Sequence, residues 1–241
     1  IGVGPSFNQA MIFMSDKYPE SQFAVIASDG VESLNVSCMA FDLNQGSFLA
    51  GVTAALNSKS KKVGYLGDAS NPNNSINRKN FRAGVKYAGV KAKVFAANAS
   101  TSAEAELAKL SGQGGDVFFI NWSRNGSVLT EANKLAKAKK SIKLIGIRPD
   151  QFFIATKSAQ KFLIGYVNQR YDIAISDLFS AAISGRSITE EVDGERGVFG
   201  RNYTISNKGI DLIATSANSA SKSALTRAKS AIISKKIIIV N

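Results

Sequence analysis

Two stretches decide the fold: Lys62-Val63-Gly64-Tyr65-Leu66-Gly67 and Phe81-Arg82-Ala83-Gly84-Val85-Lys86-Tyr87-Ala88. The first is a short apolar run closed by glycine, the length and composition of a strand buried on both faces. The second sets Phe81, Gly84, Val85 and Ala88 three and four residues apart, which puts them on one face of a helix. Together they make one strand–helix unit, and the unit recurs. Downstream come strand Ala92–Ala97, helix Ser102–Leu110, strand Asp116–Asn121, helix Ser127–Lys140 and strands Lys143–Ile147 and Lys161–Val167. Alternation of this kind builds a doubly wound lobe on a parallel sheet, expected over residues 58–170.

Upstream, a polar Ser/Lys segment, Asn57–Lys62, breaks the pattern and reads as a hinge. Before it lie a strand end at Ile1–Gly4, a helix over Ser6–Tyr18 stopped by Pro19, strands Phe23–Ala27 and Leu34–Phe41, and a helix over Ser47–Asn57. After the lobe come a helix over Tyr171–Ser184 ended by Gly185, a glycine-rich segment Gly194–Tyr203, and a final helix over Ser216–Ser234 that runs into Ile237–Val240. The expected architecture is α/β and two-lobed, with parallel sheets flanked by helices. Residues 1–57 and 171–196 form the first lobe, 58–170 the second, and 197–241 a C-terminal segment without an assigned lobe. The first lobe has too few strand–helix units to cover a sheet on both faces, so one or two further units are expected ahead of Ile1.

Composition narrows the function. The 241 residues are 44% hydrophobic, enough for a packed core, and no apolar run approaches the roughly 18 residues that span a bilayer. Thirty Lys+Arg against eighteen Asp+Glu give +12, a charge that suits nucleic acid, an anionic membrane surface or a basic secreted surface. The basic residues are scattered along presumed helix faces without interleaved aromatics, which argues against nucleic acid. Absence of His removes His-based triads, bases and zinc sites. Cys38 is the only cysteine; it sits in an apolar alternation and reads as a buried thiol.

The glycine patterns carry no nucleotide signal. Ile1-Gly2-Val3-Gly4 starts like a dinucleotide fingerprint, but Phe7 stands at the third glycine position. Gly64-Tyr65-Leu66-Gly67 is not followed by Gly-Lys-Ser/Thr. No paired carboxylates or metal-ligand spacing stand out, so no catalytic residue, metal or cofactor is expected, and an enzyme is disfavoured.

Gln45-Gly46-Ser47-Phe48-Leu49-Ala50-Gly51 is similar to the Glu-Gly-Ser-Phe-Leu-Ala-Gly signature of the basic membrane protein family of nucleoside-binding lipoproteins. Lys62–Gly67, Asp116–Phe119, Phe81–Ala88, Ile145–Gln151 and the closing Ile232–Val240 also resemble family motifs, and the likeness covers essentially the whole chain. The resemblance implies a type I periplasmic-binding-protein-like fold without cofactor. It also implies an extracytoplasmic protein, lipid-anchored outside this sequence, that closes two lobes on a purine nucleoside and hands it to an ABC permease.

The ligand positions depart from that pattern. The family's carboxylate for ribose hydroxyls corresponds to Arg148, a donor-only group. Its interlobe Lys corresponds to Asn168, and its base-stacking aromatic falls near Asn77. Its small Ala-Gly loop is replaced by Trp122-Ser123-Arg124-Asn125-Gly126. First-lobe contacts, an Asp and a Ser-Phe-Asn segment, are expected before Ile1. The candidate ligand-binding set is therefore Arg148, Trp122, Ser123, Arg124, Asn168, Asn77 and Phe7. Two roles follow: binding of a small solute, nucleoside-like or anionic, since Arg148 and Arg124 suit a carboxylate or phosphate, or a structural module with envelope protein partners.

Overall fold

Strands that are apolar on both faces must be covered by helices on both, and this sets the architecture of the structure, a computed structural model describing residues 1–28, 30–122, 126–147, 155–189, 192–194 and 197–240. In chain order the strands are β1 (Gly2–Val3), β2 (Phe23–Ile26), β3 (Val36–Phe41), β4 (Lys62–Asp68), β5 (Lys93–Ala99), β6 (Val117–Asn121), β7 (Lys143–Gly146), β8 (Leu163–Gln169), β9 (Val192–Asp193), β10 (Val198–Tyr203) and β11 (Ile210–Ala214). The helices are α1 (Asn8–Lys17), α2 (Leu43–Asn57), α3 (Asn74–Tyr87), α4 (Ala103–Gly112), α5 (Gly126–Lys137), α6 (Lys157–Gln160), α7 (Tyr171–Ile183) and α8 (Ser219–Ile233).

The chain divides into two compact units. Unit 1 comprises Ile1–Asp42 and Gln169–Ile210, and unit 2 comprises Leu43–Asn168 and Asp211–Asn241. The sheet of unit 1 has the order β1-β2-β3-β10-β9. Its first four strands run parallel, and β9 lies antiparallel on the edge. Val25, Val31, Val36, Cys38 and Val198 make a small core here, with Cys38 Sγ accepting from the Val31 N–H at 3.0 Å. The glycine-rich segment 194–203 thus contributes β10, a strand paired directly with β3.

The sheet of unit 2 has the order β11-β8-β7-β6-β4-β5, with β4 to β8 mutually parallel. One face carries Tyr65 and Phe119, register partners on β4 and β6, against Phe81 of α3, the three rings 5.7 to 5.8 Å apart. On the other face Leu66, Phe118, Ile120 and Leu144 pack with Leu107 and Leu110 of α4 and Val128 and Ala132 of α5. β11 has no counterpart among the expected strands.

Helix α2 starts at Leu43, four residues before the expected Ser47, and is buried almost all round. Its burial comes from α3. A Cβ on Gly51 would lie 2.0 Å from Phe81 O, and one on Gly84 would lie 1.9 Å from Phe48 O, so the two backbones touch where each helix has a glycine. That contact places α2 in unit 2, and the chain passes between units at 42–43, 168–169 and 210–211.

Candidate ligand-binding site

Open parallel sheets present ligand-facing loops beyond the carboxyl ends of their strands. In unit 2, β4, β5 and β6 end at Asp68, Ala99 and Asn121, and a chain of side-chain hydrogen bonds crosses those ends. Asn121 Nδ2 donates to the Tyr65 hydroxyl at 2.8 Å, the hydroxyl donates to Asn74 Oδ1 at 2.8 Å, and Asn74 Nδ2 donates to Asn98 Oδ1 at 2.9 Å. Burial pushes the Tyr65 phenol up to about 12, against the opposing hydrogen bond from Asn121. Gly67 makes room for the arrangement, because a Cβ there would lie 1.8 Å from Asn74 Oδ1.

Asn74 begins a stripe of buried asparagines along α3 that continues through Asn77 and Asn80. Asn80 grips the C-terminal tail: its Nδ2 donates to Val240 O at 2.8 Å, and its Oδ1 accepts from Val240 N at 3.1 Å. Asn77, between them, is 1% exposed, and neither its Nδ2 nor its Oδ1 has a partner among the described residues. A buried amide in that state costs about 1–3 kcal/mol, so Asn77 is the group that a ligand atom or an ordered water would satisfy.

Of the expected site residues, Arg148, Ser123 and Arg124 lie outside the described residues. Trp122 follows β6 directly and packs into the unit-2 core with 9% of its surface exposed. Asn168 is half-buried near the end of β8. Asp68 closes a local turn, accepting from the Ser70 N–H at 2.8 Å and the Ser70 hydroxyl at 2.6 Å.

Phe7 belongs to unit 1, where it immediately precedes α1 and is 44% exposed. It folds back over β1, since a Cβ on Gly2 would lie 2.7 Å from Phe7 Cβ. Next to it, Asn8 Oδ1 accepts from the Ser28 hydroxyl at 2.9 Å, joining the loops that follow β1 and β2. The residue types expected ahead of Ile1, Ser-Phe-Asn, stand here as Ser6, Phe7 and Asn8. A cavity of about 170 Å³ in the same unit is lined by Asp177, Arg186, Arg201 and Tyr203, with Asp177 Oδ2 accepting from Tyr203 OH at 2.7 Å and Arg201 Nη1 at 2.9 Å. That volume is below the roughly 300–1,000 Å³ of ordinary small-molecule sites.

The unit-2 cluster is uncharged and rich in amides, which both donate and accept. It can read a polar solute by directional hydrogen bonds. Among the described residues no three His, Cys, Asp or Glu side chains come together as metal ligands. Asn74, Asn98 and Asn121 are absent from the expected set. Their signal in the sequence was position: polar residues ending strands, or opening the helix after one.

A family model described as ABC transporter substrate-binding protein PnrA-like matches residues 1–178. The CD4+ T-cell-stimulating antigen of Listeria monocytogenes is 28% identical over 76% of this chain and 55% of that protein. The ABC transporter nucleoside-binding protein BmpA of Lactococcus lactis is 26% identical over 99% of this chain and 70% of that protein. The chain thus spans about half the length of the first of these relatives. Among solved structures, an ABC transporter solute-binding protein from Conexibacter woesei superposes with TM-score 0.75 at 17% identity, covering 99% of this chain and 78% of that one. A transcriptional activator of the comK gene from Bacillus halodurans gives the same score and identity over 98% and 78%. Similarity at that identity establishes the fold, the periplasmic-binding-protein type.

Proposed function

The chain belongs to the PnrA-like family of ABC transporter substrate-binding proteins, and from that premise we propose that it is an extracytoplasmic solute-binding protein whose ligand differs from an ordinary nucleoside. The observation that carries this reading is the amide network Asn121–Tyr65–Asn74–Asn98 at the carboxyl ends of the unit-2 strands, with the unpaired Asn77 on the same helix as Asn74. These groups supply hydrogen-bond donors and acceptors where the fold type presents ligands.

A changed ligand follows from what the cluster lacks. Asn77 stands where the resemblance puts a stacking aromatic, and an amide offers no ring face to a purine. Trp122, which directly follows Asn121, is committed to the core. Arg148 replaces a ribose-binding carboxylate, and with Arg124 it favours a solute bearing a carboxylate or phosphate. An ABC permease is the downstream partner in this reading.

A second reading draws on the burial of Trp122 in the core, which withdraws its ring from any ligand: a family member that serves as a structural module with envelope partners. Differential scanning fluorimetry separates the two. Ligand stabilises a fold by RT ln(1 + [L]/Kd), about 2.7 kcal/mol at one hundred times Kd. Adenosine, guanosine and inosine at about 100 µM are expected to leave Tm unchanged, whereas an anionic solute from a panel of carboxylates and phosphorylated compounds raises it. A clear shift with any of the three nucleosides overturns the changed-ligand reading, and silence across the panel favours the structural module.

A further inference from the structure

We propose that the amino-terminal edge of the unit-2 sheet is a docking surface for bilayers rich in anionic phospholipid. The charge of the chain is divided unequally between the units. Unit 1 carries 6 Lys+Arg against 11 Asp+Glu, a net −5, and unit 2 carries 24 against 7, a net +17. The overall +12 therefore hides a strongly basic unit 2 behind the acidic residues of unit 1.

Topology then gathers that charge. Because β4 to β8 are parallel, the segments that lead into them all arrive at the same edge. The segments ahead of β4, β5 and β7, residues 57–62, 89–93 and 138–143, hold eight lysines and no acidic or aromatic residue. Lys62 and Lys93 are register partners on neighbouring strands, and Lys143 pairs in register with Val117, the partner of Val63. Lys59, Lys61, Lys91, Lys93, Lys139 and Lys140 are all exposed. The strands concerned lie side by side at about 4.8 Å spacing, so the three segments fall within roughly two Debye lengths and act as one patch.

The acid at this edge does not neutralise them. Asp116 is buried, and its carboxylate accepts from Ser58 Oγ at 2.6 Å, Lys59 N at 2.8 Å and Ser60 N at 2.9 Å, which spends it on the backbone of the hinge. The segment leading into β6, Gln113-Gly114-Gly115, is uncharged. The chemistry of the patch chooses the partner. All six are lysines, compact hydrated charges suited to a diffuse field, whereas nucleic-acid sites favour the arginine fork and stacking rings. A layer of phosphate headgroups meets three neighbouring loops along one sheet edge at once, which a groove-seeking duplex does not.

The test is co-sedimentation of this chain with sucrose-loaded vesicles of phosphatidylcholine and phosphatidylglycerol, compared with pure phosphatidylcholine. Each lysine near an anionic surface is worth about a fivefold gain in partitioning. Replacing the six exposed lysines by Gln is therefore expected to lower binding by at least about a hundredfold, while six Lys→Arg replacements retain it. The control Lys79→Gln/Lys235→Gln/Lys236→Gln, three exposed charges away from the edge, is expected to stay within a few-fold of the parent. Raising salt from about 50 to 500 mM should release the protein. Should the six-site variant fail to fold, Lys139→Gln/Lys140→Gln alone is expected to cost about twentyfold. Binding that is absent, equal on pure phosphatidylcholine, or unchanged in the Gln variants overturns the proposal. So does release from the vesicles by duplex DNA at equal phosphate concentration, which reassigns the patch to nucleic acid.

Discussion

Gly84→Ala tests the packing of unit 2 at its tightest point. The new methyl would sit 1.9 Å from Phe48 O, 2.9 Å from Phe48 C and 3.1 Å from Val52 N, where ordinary contact begins at 3.4 Å. Helix α3 must therefore retreat by about 1.5 Å, and every atom in the way is backbone, so no side chain can swing aside. Alanine does improve helix propensity by about 1 kcal/mol over glycine. Overpacking costs about 1–3 kcal/mol and occasionally more, and a clash this deep belongs at or above the top of that range. The net expectation is a loss of about 2–3 kcal/mol, read as a lower urea midpoint at unchanged slope. Gly112→Ala is the control: it sits at the end of α4 with no atom within 4 Å of its Cβ, so propensity acts alone and stability holds or rises slightly. Gly51→Ala, with its Cβ 2.0 Å from Phe81 O, should resemble Gly84→Ala. The double variant should lose less than the sum, since the first methyl already parts the helices. A Gly84→Ala protein as stable as its parent would refute the reciprocal backbone contact.

Two further outcomes follow from the amide cluster. Burial holds the Tyr65 phenol at about 12, above its ordinary value of 10.0. Its neutral form thus contributes stability that is complete below about pH 10 and is lost as pH rises towards 12. Absorbance at 295 nm should show one tyrosine ionising with the alkaline unfolding step, and a Tyr65→Phe protein that keeps the same late-titrating tyrosine would sink the assignment. Asn77→Leu removes a buried amide without partners, so the ligand-free protein should gain about 1 kcal/mol. An equal loss on urea unfolding would mean that Asn77 is satisfied after all.

The alternation of apolar runs with helical spacing was enough to read the parallel sheet of unit 2, because strand β4 and helix α3 announce themselves by opposite periodicities. The asparagine stripe was not legible for the same reason. Asn74, Asn77 and Asn80 recur three residues apart, and a polar stripe on a helix ordinarily faces water. Helix α3 accordingly begins four residues before the expected Arg78, at a start where Asn73 makes no side-chain cap. Strand β10 was hidden by Gly200 at its centre, and the packing of α2 on α3 was not legible because the pairing of Gly51 with Gly84 is a tertiary fact. The division of charge follows the units and not the order of the chain, so lysines scattered along the sequence share one edge of a parallel sheet.

The grip of Asn80 on Val240 has a bearing on degradation. An exopeptidase working inwards from the carboxyl terminus needs several residues of slack chain, and here the backbone is held through both its N–H and its C=O by an amide rooted in a helix. Trimming past Val240 requires both bonds to open together, which leaves Asn80 with one bond, to Ile76 O, from an otherwise buried amide. The tail then behaves as a latch whose lifetime is set by the opening of that one side-chain pair, and digestion should pause there before running into α8.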